Sequence, residues 1–194
     1  MESHLRVLGV DPGSRFMGYG VVEERRGQLV HLGHGVIKVD PEAPLHQRLM
    51  VLHVELTAML KKYRPESVAV EGVFTFRNAR SALVLGHARG VALLAAAQAG
   101  LSVHEYAPAR VKRSVGAGGA SGKESIARMV CSLLKLEAIE RADASDALAV
   151  ALCHLNQGRV AGLAPASSSA KRRKGAASLL ADRLSPSYRR PEAR

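Results

Sequence analysis

Apolar residues run almost unbroken over Leu5–Val10 (LRVLGV), as in a buried strand, and stop at the turn-forming group Asp11-Pro12-Gly13-Ser14. Two more strand-like runs follow, Met17–Glu23 and Leu29–Lys38, with Arg26-Gly27 between them as a hairpin turn. The period then changes. Leu45, Leu49, Leu52, Leu56 and Met59 recur at steps of four and three, so a helix is predicted over Ala43–Tyr63, ended by Arg64-Pro65. Ser67–Val73 (SVAVEGV) reads as a strand. Asn78 can cap an Ala-rich helix that ends near Gly100, and Ser102–Tyr106 is a further strand. A brief helix starts at Pro108, a loop spans Gly116–Gly122, and helices are predicted around Lys123–Lys135 and Arg141–Gln157.

This order predicts an α/β domain whose mixed sheet is covered by helices. Past about Val160 the chain turns to Ala, Ser, Gly and Arg without an apolar period. The expected division is a domain over residues 1–159 and a basic, disordered tail over 160–194.

The pattern also isolates a set of acids. Asp11 closes the first strand, and Glu71 lies near the end of the fourth, where open α/β sheets gather ligands. Asp143 and Asp146 are three apart in a helical segment and share one face. Plainer roles exist: Asp11 as a turn residue, Asp143 as a helix cap. Glu71 resists a plain role, because a carboxylate inside an apolar strand needs a partner when buried. Four clustered carboxylates repel one another, and a hard cation such as Mg²⁺ or Mn²⁺ relieves that. Two such ions suit phosphodiester hydrolysis. Cys131 and Cys153 form no CxxC pair, so zinc and a disulfide framework are not expected.

Charge changes the picture next. The 194 residues carry 28 Lys+Arg against 17 Asp+Glu, a net +11, which points to a polyanion such as nucleic acid. Over half of the excess lies in residues 160–194. Phe74 and Phe76, two of only three Phe in the chain, follow Glu71, with Arg77 and Arg80 beyond. Exposed there they could stack on unpaired bases, although Phe76 could equally fill the core. Residues 116–123 fail as a phosphate-binding P-loop, because Ala117 and Glu124 stand where Gly and Ser or Thr are required. The stretch Gly90–Leu101 is too short for a membrane span and reads as a buried helix. The N-terminus lacks the pattern of a secretion signal, so a cytoplasmic location is expected.

The segments GVDPGSRFMGYGVV (9–22), VAVEGVFTFRNARSALVLGHARG (68–90) and RADASDALAVALCH (141–154) resemble the RuvC family of bacterial Holliday-junction endonucleases. VHEYAPARVKRSVGAGGASGK (103–123) adds to the likeness, which spans about residues 5–157. The resemblance implies a ribonuclease H-like fold: a five-stranded mixed sheet flanked by helices. It implies a homodimer making paired, symmetric cuts at four-way junction DNA during recombination and repair, with RuvA and RuvB as partners. It places the catalytic, metal-binding acids on Asp11, Glu71, Asp143 and Asp146, with two Mg²⁺ per subunit and Mn²⁺ as a substitute. It places DNA contacts on Phe74, Arg77, Lys112 and Lys123. The family often has Gln where this chain has Gly72, and some members have His at the position of Asp143. Two rival readings are a junction-binding protein without catalysis and an actin-like ATPase. The first leaves four acids unexplained, and the second usually needs two such domains.

Overall fold

The computed structural model describes residues 4–72, 79–116 and 123–163, with the side chains of 123, 124 and 158–163 left aside. Strands β1 (His4–Asp11), β2 (Phe16–Arg25) and β3 (Gln28–Lys38) come first, followed by α1 (Leu45–Tyr63) and β4 (Ser67–Glu71). Then come α2 (Ala79–Gln98), β5 (Ser102–Tyr106), α3 (Pro108–Ser114), α4 (Lys123–Leu134) and α5 (Ala142–Leu163). The five strands form one sheet in the order β3-β2-β1-β4-β5. β1, β2 and β3 pair antiparallel, whereas β4 lies parallel to both β1 and β5. This is the mixed sheet flanked by helices that the sequence led us to expect.

Local chemistry explains the joints. Arg25 pairs with Gln28, leaving Arg26 and Gly27 as a two-residue loop, both with positive φ (51° and 78°). That is the geometry of a type I′ hairpin turn, whose twist matches that of the flanking strands. Helix α1 ends as Arg64 enters the left-handed region, just before Pro65.

Alternation along the strands feeds two cores, one on each face of the sheet. Leu8 and Val10 of β1 pack with Leu52, Leu56, Ala88 and Ala92 from α1 and α2. Val7 of β1 and Ala69 of β4 pack instead with α5, together with α3 and α4. Helix α5 is buried on every side from Ala147 to Cys153, lying between the sheet and these two shorter helices. Its near-uniform apolar sequence follows from that position.

Three differences from the sequence reading matter. β4 ends at Glu71, short of the predicted Val73, and its last ladder bond runs from the Gly72 amide to the carbonyl of Tyr106. α5 continues to Leu163, six residues past the predicted end at Gln157. α2 buries only one face, through Ala88, Ala92, Ala95 and Ala96, and leaves Leu83 and Leu94 exposed. By length and mean hydropathy (1.2) α2 could cross a membrane, but its alanine face is part of the core it shares with α1.

Candidate metal centre and nucleic-acid interface

Asp11 and Glu71 end adjacent parallel strands. The register Val10↔Val70 brings the two acids, one residue further on, to the same level of the sheet. Alternation places Asp11 on the face of Val7 and Gly9, and Glu71 on the face of Ala69, which is the α5 side for both. The two carboxyls are near enough that Glu71 is the strongest of the neighbouring charges acting on Asp11.

Asp143 sits in the first turn of α5 and Asp146 lies three residues on, so they share a helix face. Glycines let this helix lie directly on the strands. A Cβ on Gly18 would overlap the backbone carbonyl of Asp143, and one on Gly9 would overlap that of Ala147. Gly18 is the residue paired with Asp11 across β1 and β2. The helix acids are therefore held over the strand that neighbours Asp11.

The electrostatics record this proximity. The Asp11 carboxyl is pushed up from 3.8 to about 8, first by burial, then by the charges of Glu71, Asp146 and Asp143. Even so, among the described residues no three acids, histidines or cysteines close to a distance at which they could share an ion. The two facts concern different ranges: charge repulsion acts beyond contact, and coordination does not. The set fits a hard divalent cation, because it is all carboxylate oxygen and because Asp11 keeps its proton when no cation compensates it.

Asp143 also has an organic cation beside it. Arg141 Nη2 lies 3.1 Å from Asp143 Oδ2, and the guanidinium stands 4.2 Å over the ring of Phe16. Sequence reasoning singled out neither Arg141 nor Phe16. The sequence itself holds a sign of the close helix approach, unused in that reading: glycine inside a strand marks a site where another backbone comes near.

Of the expected DNA contacts, Lys112 lies on α3, which follows directly from β5. The last residue of β5, Tyr106, is paired with Glu71, so α3 departs from the same end of the sheet as the acids. Lys123 opens α4. Phe74, Phe76 and Arg77, the Asn78 cap and the tail beyond Leu163 lie outside the described residues.

His154, expected in the core, is half-buried and ties three elements together. Its Nδ1 is 2.7 Å from the Tyr106 hydroxyl of β5 and its Nε2 is 3.2 Å from Ser67 Oγ of β4. Burial, and then His104, its ring tilted against this one at 4.4 Å, lower its pKa and favour the neutral ring. It fastens the helix bearing Asp143 and Asp146 to the strand bearing Glu71.

Known proteins resemble this chain over most of its length. Residues 7–154 match the family model described as crossover junction endodeoxyribonuclease RuvC. A relative so named from Myxococcus xanthus is 76% identical over 192 residues, covering 98% of this chain and 100% of the relative. Another from Trichlorobacter lovleyi is 48% identical over 152 residues, covering 78% of this chain and 85% of the relative. Among solved structures, Thermus thermophilus RuvC in complex with Holliday junction substrate superposes with a TM-score of 0.73 at 36% identity. That match covers 80% of this chain and 96% of the other. A yeast mitochondrial Holliday junction resolvase shares the fold at 14% identity, with a TM-score of 0.62 and 81% of each chain covered.

Proposed function

The chain belongs to the RuvC family of crossover junction endodeoxyribonucleases, and from there we propose that it is a Mg²⁺-dependent, structure-selective endonuclease acting on Holliday junctions. It resolves them by paired symmetric nicks during homologous recombination and repair, leaving 5′-phosphate and 3′-hydroxyl ends. One observation carries the reading: burial, and then the neighbouring acids of β4 and α5, push the Asp11 carboxyl up to about 8.

Asp11, Glu71, Asp143 and Asp146 would hold the metal, with two Mg²⁺ per subunit and Mn²⁺ able to substitute. Bound ions supply neutralisation of charge on the phosphate, the attacking water and the leaving oxygen. The chain does the rest. β1 and β4 fix two acids at strand ends, and α5 holds the other two over Gly18 through close backbone contact. Lys112 and Lys123 bind backbone phosphates, and Phe74 and Arg77 act on bases at the junction centre. The nuclease domain runs through the end of α5 at Leu163, and the basic residues beyond it add charge-driven affinity. The enzyme works in the cytoplasm with RuvA and RuvB.

A synthetic four-way junction, incubated with and without Mg²⁺, tests the function. Symmetric nick pairs that need the ion are expected. Cutting of linear duplex at an equal rate would overturn the reading. Phe74→Ala should slow junction cleavage about tenfold or more, as expected for a lost stacking contact of roughly 1–3 kcal/mol. Its affinity for plain duplex, measured by fluorescence anisotropy, should barely change.

The enzyme acts as a homodimer, which suits the two-fold symmetry of a junction. Support comes from α2, where Leu83 (66% exposed) and Leu94 (52%) lie three turns apart on one stripe. Gly86 and Gly90 fall on the same side, with open space where a Cβ would stand. Leu83→Arg should shift the chain from dimer to monomer in analytical ultracentrifugation and abolish paired cutting. An unchanged dimer would place the interface elsewhere.

A further inference from the structure

A groove of about 420 Å³ opens beside the acids, between the C-terminal half of β3 and the entry to α5. His34, Val36 and Lys38 line it from the strand, and Glu140 and Arg141 from the segment leading into the helix. Register fixes its place. Asp11 pairs with Gly18, and Gly18 with Val36, so the three form one row across β1, β2 and β3. At ~4.8 Å per strand spacing, Val36 lies roughly 10 Å from Asp11. Lys38 pairs with Phe16 and His34 with Gly20, so all of these point to the same α5 side of the sheet as Asp11. Lys38 brings a cation to the groove that Asp143 does not engage, whereas Arg141 is paired with Asp143. Arg141 also forms the boundary between groove and acids, since it lines the one and bonds Asp143 of the other.

From this geometry we infer that the groove is a second phosphate subsite, in which Lys38 grips the backbone of the cleaved strand beside the cut. The inference rests on the nuclease reading above. At ~3.4 Å of rise per nucleotide in each strand, 10 Å corresponds to a phosphate within about three nucleotides of the scissile one. An open, polar groove that runs up to the acids and carries Lys38 on its wall suits a chain of phosphates. Arg141, stacked on Phe16 and paired with Asp143, forms its inner wall and keeps the acids from repelling the strand. A lysine on an edge strand also guards against pairing with other sheets, but that role predicts no change in DNA binding.

The experiment measures binding of the full chain to a labelled four-way junction in EDTA, across about 50–200 mM salt. Parent, Lys38→Ala, Lys38→Glu and Lys38→Arg are compared. Loss of one phosphate contact should make the slope of log affinity against log salt shallower by about 0.9 in Lys38→Ala, so that its affinity falls about 3.5-fold less than the parent's over that range. Lys38→Glu should bind more weakly still, and Lys38→Arg should restore the slope. A neutral methylphosphonate within about three nucleotides of the cut should erase the difference between parent and Lys38→Ala. A slope unchanged in both Lys38→Ala and Lys38→Glu overturns the subsite. If the parent itself fails to prefer the junction over duplex, the nuclease reading fails instead, which separates the two.

Discussion

Asp11→Asn should lower junction cleavage by about 10³-fold or more while the variant still binds the junction. The change removes a charged oxygen ligand where ions would offset several kcal/mol of developing charge, and each 1.36 kcal/mol is a factor of ten. A second readout needs no DNA. In the ion-free fold the Asp11 carboxyl is pushed up to about 8, mainly by burial and then by Glu71, Asp146 and Asp143. A raised pKa means that the folded chain binds this proton more tightly than the unfolded chain does. Its contribution to stability is therefore complete below about 3.8 and is lost as pH rises towards 8. In EDTA, the parent's melting temperature should fall over that window relative to Asp11→Asn, whose amide does not titrate. Mg²⁺ should stabilise the parent more at pH 8 than at pH 6, because binding must displace the proton. Identical pH trends for parent and variant, or near-normal cleavage by Asp11→Asn, would remove Asp11 from the metal centre.

Gly18→Ala should be almost as damaging, although no chemistry is assigned to Gly18. Its Cβ would overlap the Asp143 carbonyl and crowd the Ala144 amide, both backbone atoms of the first turn of α5. Backbone cannot rotate aside as a side-chain tip can, so the helix must lift. Overpacking of this kind costs about 1–3 kcal/mol of stability. A displacement of about 1 Å at the reacting groups costs on the order of 10² in rate. The variant should melt at a lower temperature and cut about 10²-fold more slowly, yet bind the junction through contacts elsewhere. Alanine at Gly27 is the control, because nothing lies within 4 Å of a Cβ there. Its cost should be limited to the turn, whose φ of 78° suits glycine. Wild-type cleavage by Gly18→Ala would show that α5 does not need its close seat to place Asp143 and Asp146.

Much of this molecule was legible in the order of its residues. The leucine steps of α1, the apolar runs of β1 and β4 and the Arg26-Gly27 turn each announced an element, because burial and local backbone preference act over a few residues. The four acids were legible for a related reason: a charge beside an apolar run is costly and needs an explanation. The family resemblance supplied the junction, which no local pattern encodes. Less legible was the end of β4. Its last bond depends on the Tyr106 carbonyl, contributed by a strand more than thirty residues away. The half-exposed character of α2 was also hidden, because an alanine-rich helix looks apolar on every side.

By itself, then, the sequence determined the elements, the acids and the sign of the charge, since those depend on residue type and on neighbours along the chain. Tertiary structure decided how they meet. The parallel pairing of β1 with β4 brought Asp11 beside Glu71, and Gly9 and Gly18 let α5 lie against the strands. The fold also set Arg141 between Phe16 and Asp143 and opened the groove where Lys38 stands. Burial and repulsion then raised the pKa of Asp11. Those effects depend on distance and dielectric across the folded domain, and neither exists until the strands and helices have packed.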